Sequence, residues 1–267
     1  MERKHATTAA VCLLALTGLL AACGDDDSAS TGASGSNGSD TTEPDTSEPV
    51  IDPGDGGNYH PDIDPANFVD VVDNPYMPWM PGARWVYEGQ SEGDTERTEI
   101  VVTDEQREVM GISVTVVRDS VYVNDELAED TYDWYAQDRD GNVWYMGEDT
   151  KEYENGEVTS TEGSWEAGVD GALPGIVMPA DPQVGDAYRQ EFYPDHAEDL
   201  VEIQELGATR SVQLGDYQDV LVTKEWNPLE PDVIENKFYA SGVGNIGEQA
   251  VAGSDEVSEL VEYTSGG

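Results

Sequence analysis

Cationic side chains are scarce in this 267-residue chain: 12 Lys and Arg stand against 57 Asp and Glu. A field of that sign repels phosphate backbones and anionic head groups, so nucleic acid is excluded as a partner. Cysteine is nearly absent as well. Cys12 and Cys23 are the two in the chain, so a domain folded from the residues beyond has no disulfide, no thiol nucleophile and no zinc–thiolate site. Among the three histidines, His60 and His196 lie far apart in the chain. No Gly-x-Ser-x-Gly turn, HExxH pair, Walker loop or dinucleotide fingerprint accompanies them. His196, in Pro194-Asp195-His196-Ala197, reads as a loop residue. Helical 3.6-residue periodicity is almost missing. The one long apolar run, Ala9 to Leu20, is too short to anchor in a bilayer as a spanning helix.

That run carries information of its own. Arg3 and Lys4 precede it, and Leu20-Ala21-Ala22-Cys23 follows. Residues 1–22 resemble a bacterial lipoprotein signal peptide with its lipobox. The resemblance implies cleavage before Cys23 and lipidation of the Cys23 thiol with fatty acyl chains such as palmitate, each buried methylene adding about 0.8 kcal/mol of membrane affinity. Cleavage would remove Glu2, Arg3 and Lys4, leaving 56 acidic against 10 basic residues, a net charge of −46. Residues 23–58 are Ser, Gly, Thr, Asp and Pro with almost nothing apolar. They cannot offset the entropy of ordering, and read as a disordered tether.

From residue 59 to 267 the pattern is that of strands. Val114 to Val158 holds four runs rich in Val, Tyr, Trp and Thr, separated by Asn124-Asp125, Asp140-Gly141 and Asn155-Gly156. Those turns predict that Val117 faces Tyr132 and Arg118 faces Thr131. They also pair Ala136 with Tyr145, Trp134 with Gly147, Asp133 with Glu148 and Asp130 with Lys151. One face then carries Val117, Tyr132, Trp134 and Tyr145. The other carries Val116, Tyr135, Trp144 and Met146 with Arg118, Asp133 and Glu148. Aromatics on both faces imply a sheet that curls. Further strands are expected at Arg84 to Glu88, Thr95 to Thr103, Arg107 to Met110, Val184 to Tyr193, Leu200 to Leu206, Ser211 to Leu214, Val220 to Trp226, Val233 to Ala240 and Val257 to Tyr263. Before them, a short helical turn follows Pro65, and Tyr76, Trp79 and Trp85 plug one end of the sheet. The fold expected is all-β: an antiparallel, strongly curved sheet of ten to twelve strands, barrel-like or sandwich.

Three segments carry a wider likeness: NPYMPWMPGARWVYEG, DTYDWYAQDRDGNVWYMGEDTKEYENG and GSWEAGVDGALPG, with FYASGVGNIGE near the end. Together they are similar to a group of exported bacterial lipoproteins of unassigned function. The resemblance spans about residues 63 to 250 and implies extracytoplasmic placement on the cell membrane or outer membrane. It supplies no catalytic residues. Ser241 and Asn245-Ile246 depart from the group's pattern around a Gly-Val-Gly step.

For chemistry, Asp133 and Glu148 are the foremost pair. Facing each other across two strands, like charges must share a proton, hold a cation or accept a neighbouring Arg118. Asp138-Arg139-Asp140-Gly141-Asn142 hints at a calcium loop. Its Gly falls fourth rather than sixth, so a turn held by Asp and Asn side chains is sufficient. No cofactor is implied, although a divalent cation is compatible with so acidic a surface. Gly163 to Ala180 reads either as a functional rim or as a crossover sealing the core. The function these features point to is a membrane-anchored, non-catalytic binding domain. Its contact surface is placed on Trp144, Trp165, Glu166, Asp170, Tyr188 and Arg189. Its partner is a small ligand, a glycan or an envelope protein. The alternatives are a glycan hydrolase using Asp133 and Glu148, or a structural envelope protein.

Overall fold

The computed structural model describes residues 59–91 and 93–267. The expected signal peptide, the Cys23 lipidation site and the tether lie outside them. The described chain is all-β and antiparallel. After a single 3₁₀ turn at Pro65–Asn67, capped by the Asp64 carboxylate, the strands are β1 (Phe68–Val69), β2 (Arg84–Ser91), β3 (Asp94–Val109), β4 (Ile112–Val123), β5 (Glu126–Asp138), β6 (Val143–Glu154), β7 (Glu157–Ser160) and β8 (Trp165–Glu166). They continue as β9 (Leu173–Met178), β10 (Ala187–Arg189), β11 (Glu191–Phe192), β12 (Leu200–Val212), β13 (Gly215–Trp226), β14 (Ile234–Ala240), β15 (Gly244–Ala252) and β16 (Val257–Thr264). Two expected pairs of short strands are each one long, bulged strand: β3 and β12. The β14–β15 hairpin forms despite the departures at Ser241 and Asn245-Ile246. No helix among the described residues is long and apolar enough to cross a membrane.

All sixteen strands belong to one sheet, whose main path runs β10-β12-β13-β14-β15-β16-β2-β3-β4-β5-β6-β9-β11. The ends of that path are neighbours in the chain. Residues 187–189 pair with β12, and residues 191–192 pair with β9. One short segment thus stitches the two edges into a nearly closed barrel. Gly175 makes the stitch possible, because a Cβ there would lie 2.3 Å from the Gln190 backbone. Closure removes the open edges that a curved sheet would otherwise present.

The turns behave as their residues dictate. Asn124, Asp125, Asn155 and Gly156 all have positive φ, as two-residue hairpin loops require. The registers between them carry corrections. Ala128 is an extra residue in β5, so Val117 faces Asp133 and Arg118 faces Tyr132. A five-residue loop at 138–142 pairs Tyr135 with Tyr145 and Ala136 with Trp144. A bulge at Met146-Gly147, opposite Trp134, then restores Asp133 to Glu148 and Asp130 to Lys151. The interior therefore receives Val117, Asp133, Tyr135, Tyr145 and Glu148, while Arg118, Tyr132 and Trp134 point the other way. Arg118 does not neutralise Asp133; it makes two hydrogen bonds to Asp130 (2.7 and 3.0 Å).

The lead-in segment closes one end of the barrel. Trp79 stands edge-on to Trp85 at 4.9 Å and lies against Tyr135 at 5.5 Å. The Asp138 turn needs no ion: its Oδ1 accepts from the backbone N–H groups of Asp140, Gly141 and Asn142. Its Oδ2 accepts from the Asn142 amide and the Trp144 indole.

Candidate functional site

Polar chemistry meets concavity in the barrel interior, in a cleft beside β8, and in a more open recess of ≈ 570 Å³ lined by Glu88, Glu96, Arg97 and Glu259. The interior is unusually acidic. Asp119, Glu129, Asp133 and Glu148 line a central cavity together with Tyr76, Trp79, Tyr135, Tyr239 and Asn245. Free space there is ≈ 30 Å³, room for roughly two water molecules. Burial is the largest cause holding the Asp119 and Glu148 carboxyls well above the usual range, and Asp133 adds to it in both. Burial likewise raises Asp133 to about 7, against a lowering contribution from the Tyr145 hydroxyl that donates to it at 2.7 Å.

Hydrogen counting along the chain from Glu129 to Glu148 calls for one further proton there. Thr131 contacts Glu129 Oε1 (3.0 Å) and Thr150 Oγ1 (3.1 Å), and Thr150 contacts Glu148 Oε2 (2.8 Å). These are three hydrogen bonds sharing two hydroxyl hydrogens. A third hydrogen must come from a protonated carboxyl at one end. With the proton on Glu148, each hydroxyl donates onward toward Glu129; with it on Glu129, every bond reverses. The other half of the barrel handles its acids differently. Lys237, 2 % exposed, reaches Glu225 at 3.0 Å and Glu235 at 3.1 Å. Burial opposes its charge, but Glu225, Glu235 and Glu248 overcome that and hold its pKa well above the ordinary lysine value. Between the halves, burial raises the carboxyls of Glu191 and Asp199, Glu191 well above its usual range and Asp199 to about 6.

The cleft, ≈ 330 Å³ in volume, lies where β8 and the turn at 167–172 meet β3, β5 and β6. Residues 163–180, expected as a rim or a crossover, hold two short strands, β8 and β9, which pair with β6 in succession. Gly147, at φ +125°, lets β8 approach, since a Cβ there would sit 2.3 Å from the Trp165 carbonyl. The same bulge seats Trp134 under the cleft. The Arg107 guanidinium lies 3.6 Å above the Trp134 ring and makes a 2.6 Å ion pair with Glu166. Trp165, Tyr193, Ser164, Asp149, Asp170, Val169 and Ala172 complete the lining with Glu148, whose Oε1 has no hydrogen-bond partner.

The residues chosen from sequence divide here. Trp165, Glu166 and Asp170 meet at the cleft. Trp144 is outside it, packed against Phe68. Tyr188 is 1 % exposed within the core. Arg189 is also buried, over the Phe192 ring at 4.3 Å. These three do not form one surface with the cleft, because the stitch that closes the barrel draws residues 188 and 189 inward. Sequence reasoning missed Arg107 and Lys237; lone cations in strands give no signal beyond their scarcity. Among the described residues, no three His, Cys, Asp or Glu side chains converge closely enough to hold a metal ion.

No protein-family model matches this chain. No curated protein matches it. Two solved structures are similar in shape. One is a candidate exported protein with a YmcC-like fold from Bacteroides fragilis. Its TM-score is 0.41 at 11 % identity, over 69 % of this chain and 96 % of that one. The other is a candidate lipoprotein from Parabacteroides distasonis, with TM-score 0.38 at 10 % identity, over 72 % of this chain and 99 % of that one.

Proposed function

We propose that this chain is an extracytoplasmic lipoprotein, anchored through Cys23, whose β-domain holds a ligand in the Trp134–Trp165 cleft and performs no chemistry. Support for the anchor is the apolar run ending in Leu20-Ala21-Ala22-Cys23 and the polar stretch after it. The likeness of the aromatic- and glycine-rich segments to exported bacterial lipoproteins points the same way. The observation that carries the binding reading is the cleft itself. Its volume falls in the range of small-molecule sites, and it sets two indoles beside charged groups that would orient a ligand.

The hydrolase alternative gains no support from the geometry. Asp133 and Glu148 are 6 % and 2 % exposed, and the cavity Asp133 faces is far smaller than a sugar ring. Two measurements test the reading. A fatty-acid analogue should label the wild type in its native host and not Cys23→Ser, with the label in the membrane fraction. Titration with glycan fragments, amines and envelope peptides should shift the indole N–H resonances of Trp134 and Trp165. A panel that leaves both indoles unmoved while shifting other residues would place the binding surface elsewhere.

A further inference from the structure

We propose that the cleft recognises an organic cation headed by a guanidinium or ammonium group, and that Arg107 sits in that seat while the cleft is unliganded. The inference rests on the cleft being a ligand site and names the ligand's chemistry. Arg107 itself demonstrates the recognition. Its guanidinium stacks on Trp134 at 3.6 Å and is held by Glu166 at 2.6 Å. An aromatic face and a carboxylate are two contacts that hold a planar cation.

The lining has more anionic capacity than Arg107 uses. Asp149 and Asp170 share the cleft with Glu166, and Arg107 is the one cation among the residues that line it. Lys151 takes up Asp149 at 2.8 Å. Glu148, 2 % exposed, turns its carboxyl into the barrel interior behind this lining, so Asp170 is the carboxylate of the cleft left for a ligand. Arg107 is the more exposed element of the set. Its side chain is 39 % exposed and comes from β3, near the tip of the β3–β4 hairpin. A ligand cation can displace it to solvent, whereas Trp134 is fixed by the barrel wall. Neutral sugars lack the charge that this arrangement selects, and anionic ligands meet Glu166 and Asp170.

The test uses the whole folded domain and three probes: N-acetyl-arginine amide, its uncharged isostere N-acetyl-citrulline amide, and a triarginine peptide. Binding is followed by calorimetry and by the Trp134 indole resonance. The arginine amide should bind the wild type and the citrulline amide should not. Arg107→Ala removes the resident competitor and should tighten the arginine amide by roughly tenfold, an ordinary stake for one displaced charge-assisted contact. Glu166→Gln in the Arg107→Ala background should reverse that gain. Equal binding of the two amides would overturn cation recognition while leaving the cleft a ligand site. Silence of the arginine amide in both wild type and Arg107→Ala, with circular dichroism unchanged, would overturn the inference outright. A triarginine peptide that binds no more tightly than the single amide marks an isolated head group as the target. A gain of more than about a hundredfold marks a basic polypeptide.

Discussion

The two halves of the barrel solve one problem in different ways. Around β13 to β15, buried carboxylates surround a buried ammonium, Lys237. Around β4 to β6, Asp119, Asp133 and Glu148 face the cavity with no cation on the interior face, and protons take its place. The first solution is led by a fixed positive charge, although burial also raises Glu235 and holds Glu248 well above the usual carboxylate range. The second depends on pH. Burying negative charge is not one kind of interaction, and the two kinds are separable by experiment.

The largest effect should come from removing the cation. Lys237→Met leaves Glu225 and Glu235 buried without their partner and should cost about 3–5 kcal/mol in urea unfolding at neutral pH. A loss under about 1 kcal/mol would mean that this half also runs on protons. Next is Gly147→Ala, which puts a Cβ against the Trp165 carbonyl at a φ that side chains avoid. It should cost roughly 2–3 kcal/mol and loosen β8 from β6, read as faster amide exchange at Glu166 and Ala167.

The proton-held half has a defined sign. Asp133 titrates near 7 when folded and near ~3.9 when unfolded, so the folded state binds the proton more tightly. Its stabilising contribution is complete below the unfolded value and is lost as pH rises through 7. The melting temperature should therefore fall by roughly 5 °C between about pH 5.5 and pH 8.5. Asp133→Asn keeps an acceptor for Tyr145 and should flatten that slope, gaining about 1–2 kcal/mol at the alkaline end. An unchanged slope would assign it to surface repulsion instead. In the infrared, a carboxylic-acid carbonyl band should persist at neutral pH and weaken in Glu148→Gln. The smallest effect belongs to the outer face: Arg118→Ala breaks a partly exposed pair with Asp130 and should cost no more than ~1 kcal/mol.

Much of this architecture was legible in the residues. Alternating Val, Tyr, Trp and Thr with Asn-Gly and Asn-Asp turns specified an antiparallel curved sheet. The Asp133–Glu148 pairing was also foreseen, although two single-residue offsets, at the 138–142 loop and at Met146-Gly147, had to cancel for it to hold. The Ala128 bulge had no such compensation, so Arg118 was expected on the wrong face. Bulges answer to the curvature of the closed barrel, which is set by strands far away in the chain. The same holds for Tyr188 and Arg189: their strand was readable, their burial by the stitch was not. The strand holding Lys237 was readable, but only the closed interior reveals how many carboxylates converge on that residue. Arg107 became interpretable once a bulge had placed Trp134 beneath it.

The position of β16 has a kinetic consequence. It lies between β15 and β2, so residues 257–264 join strands built from opposite ends of the chain. Ring closure must wait until residues 257–264 have been made, and such distant pairing makes folding slow. A chain that stays open for so long is well suited to passage through a narrow conduit before it takes its final shape.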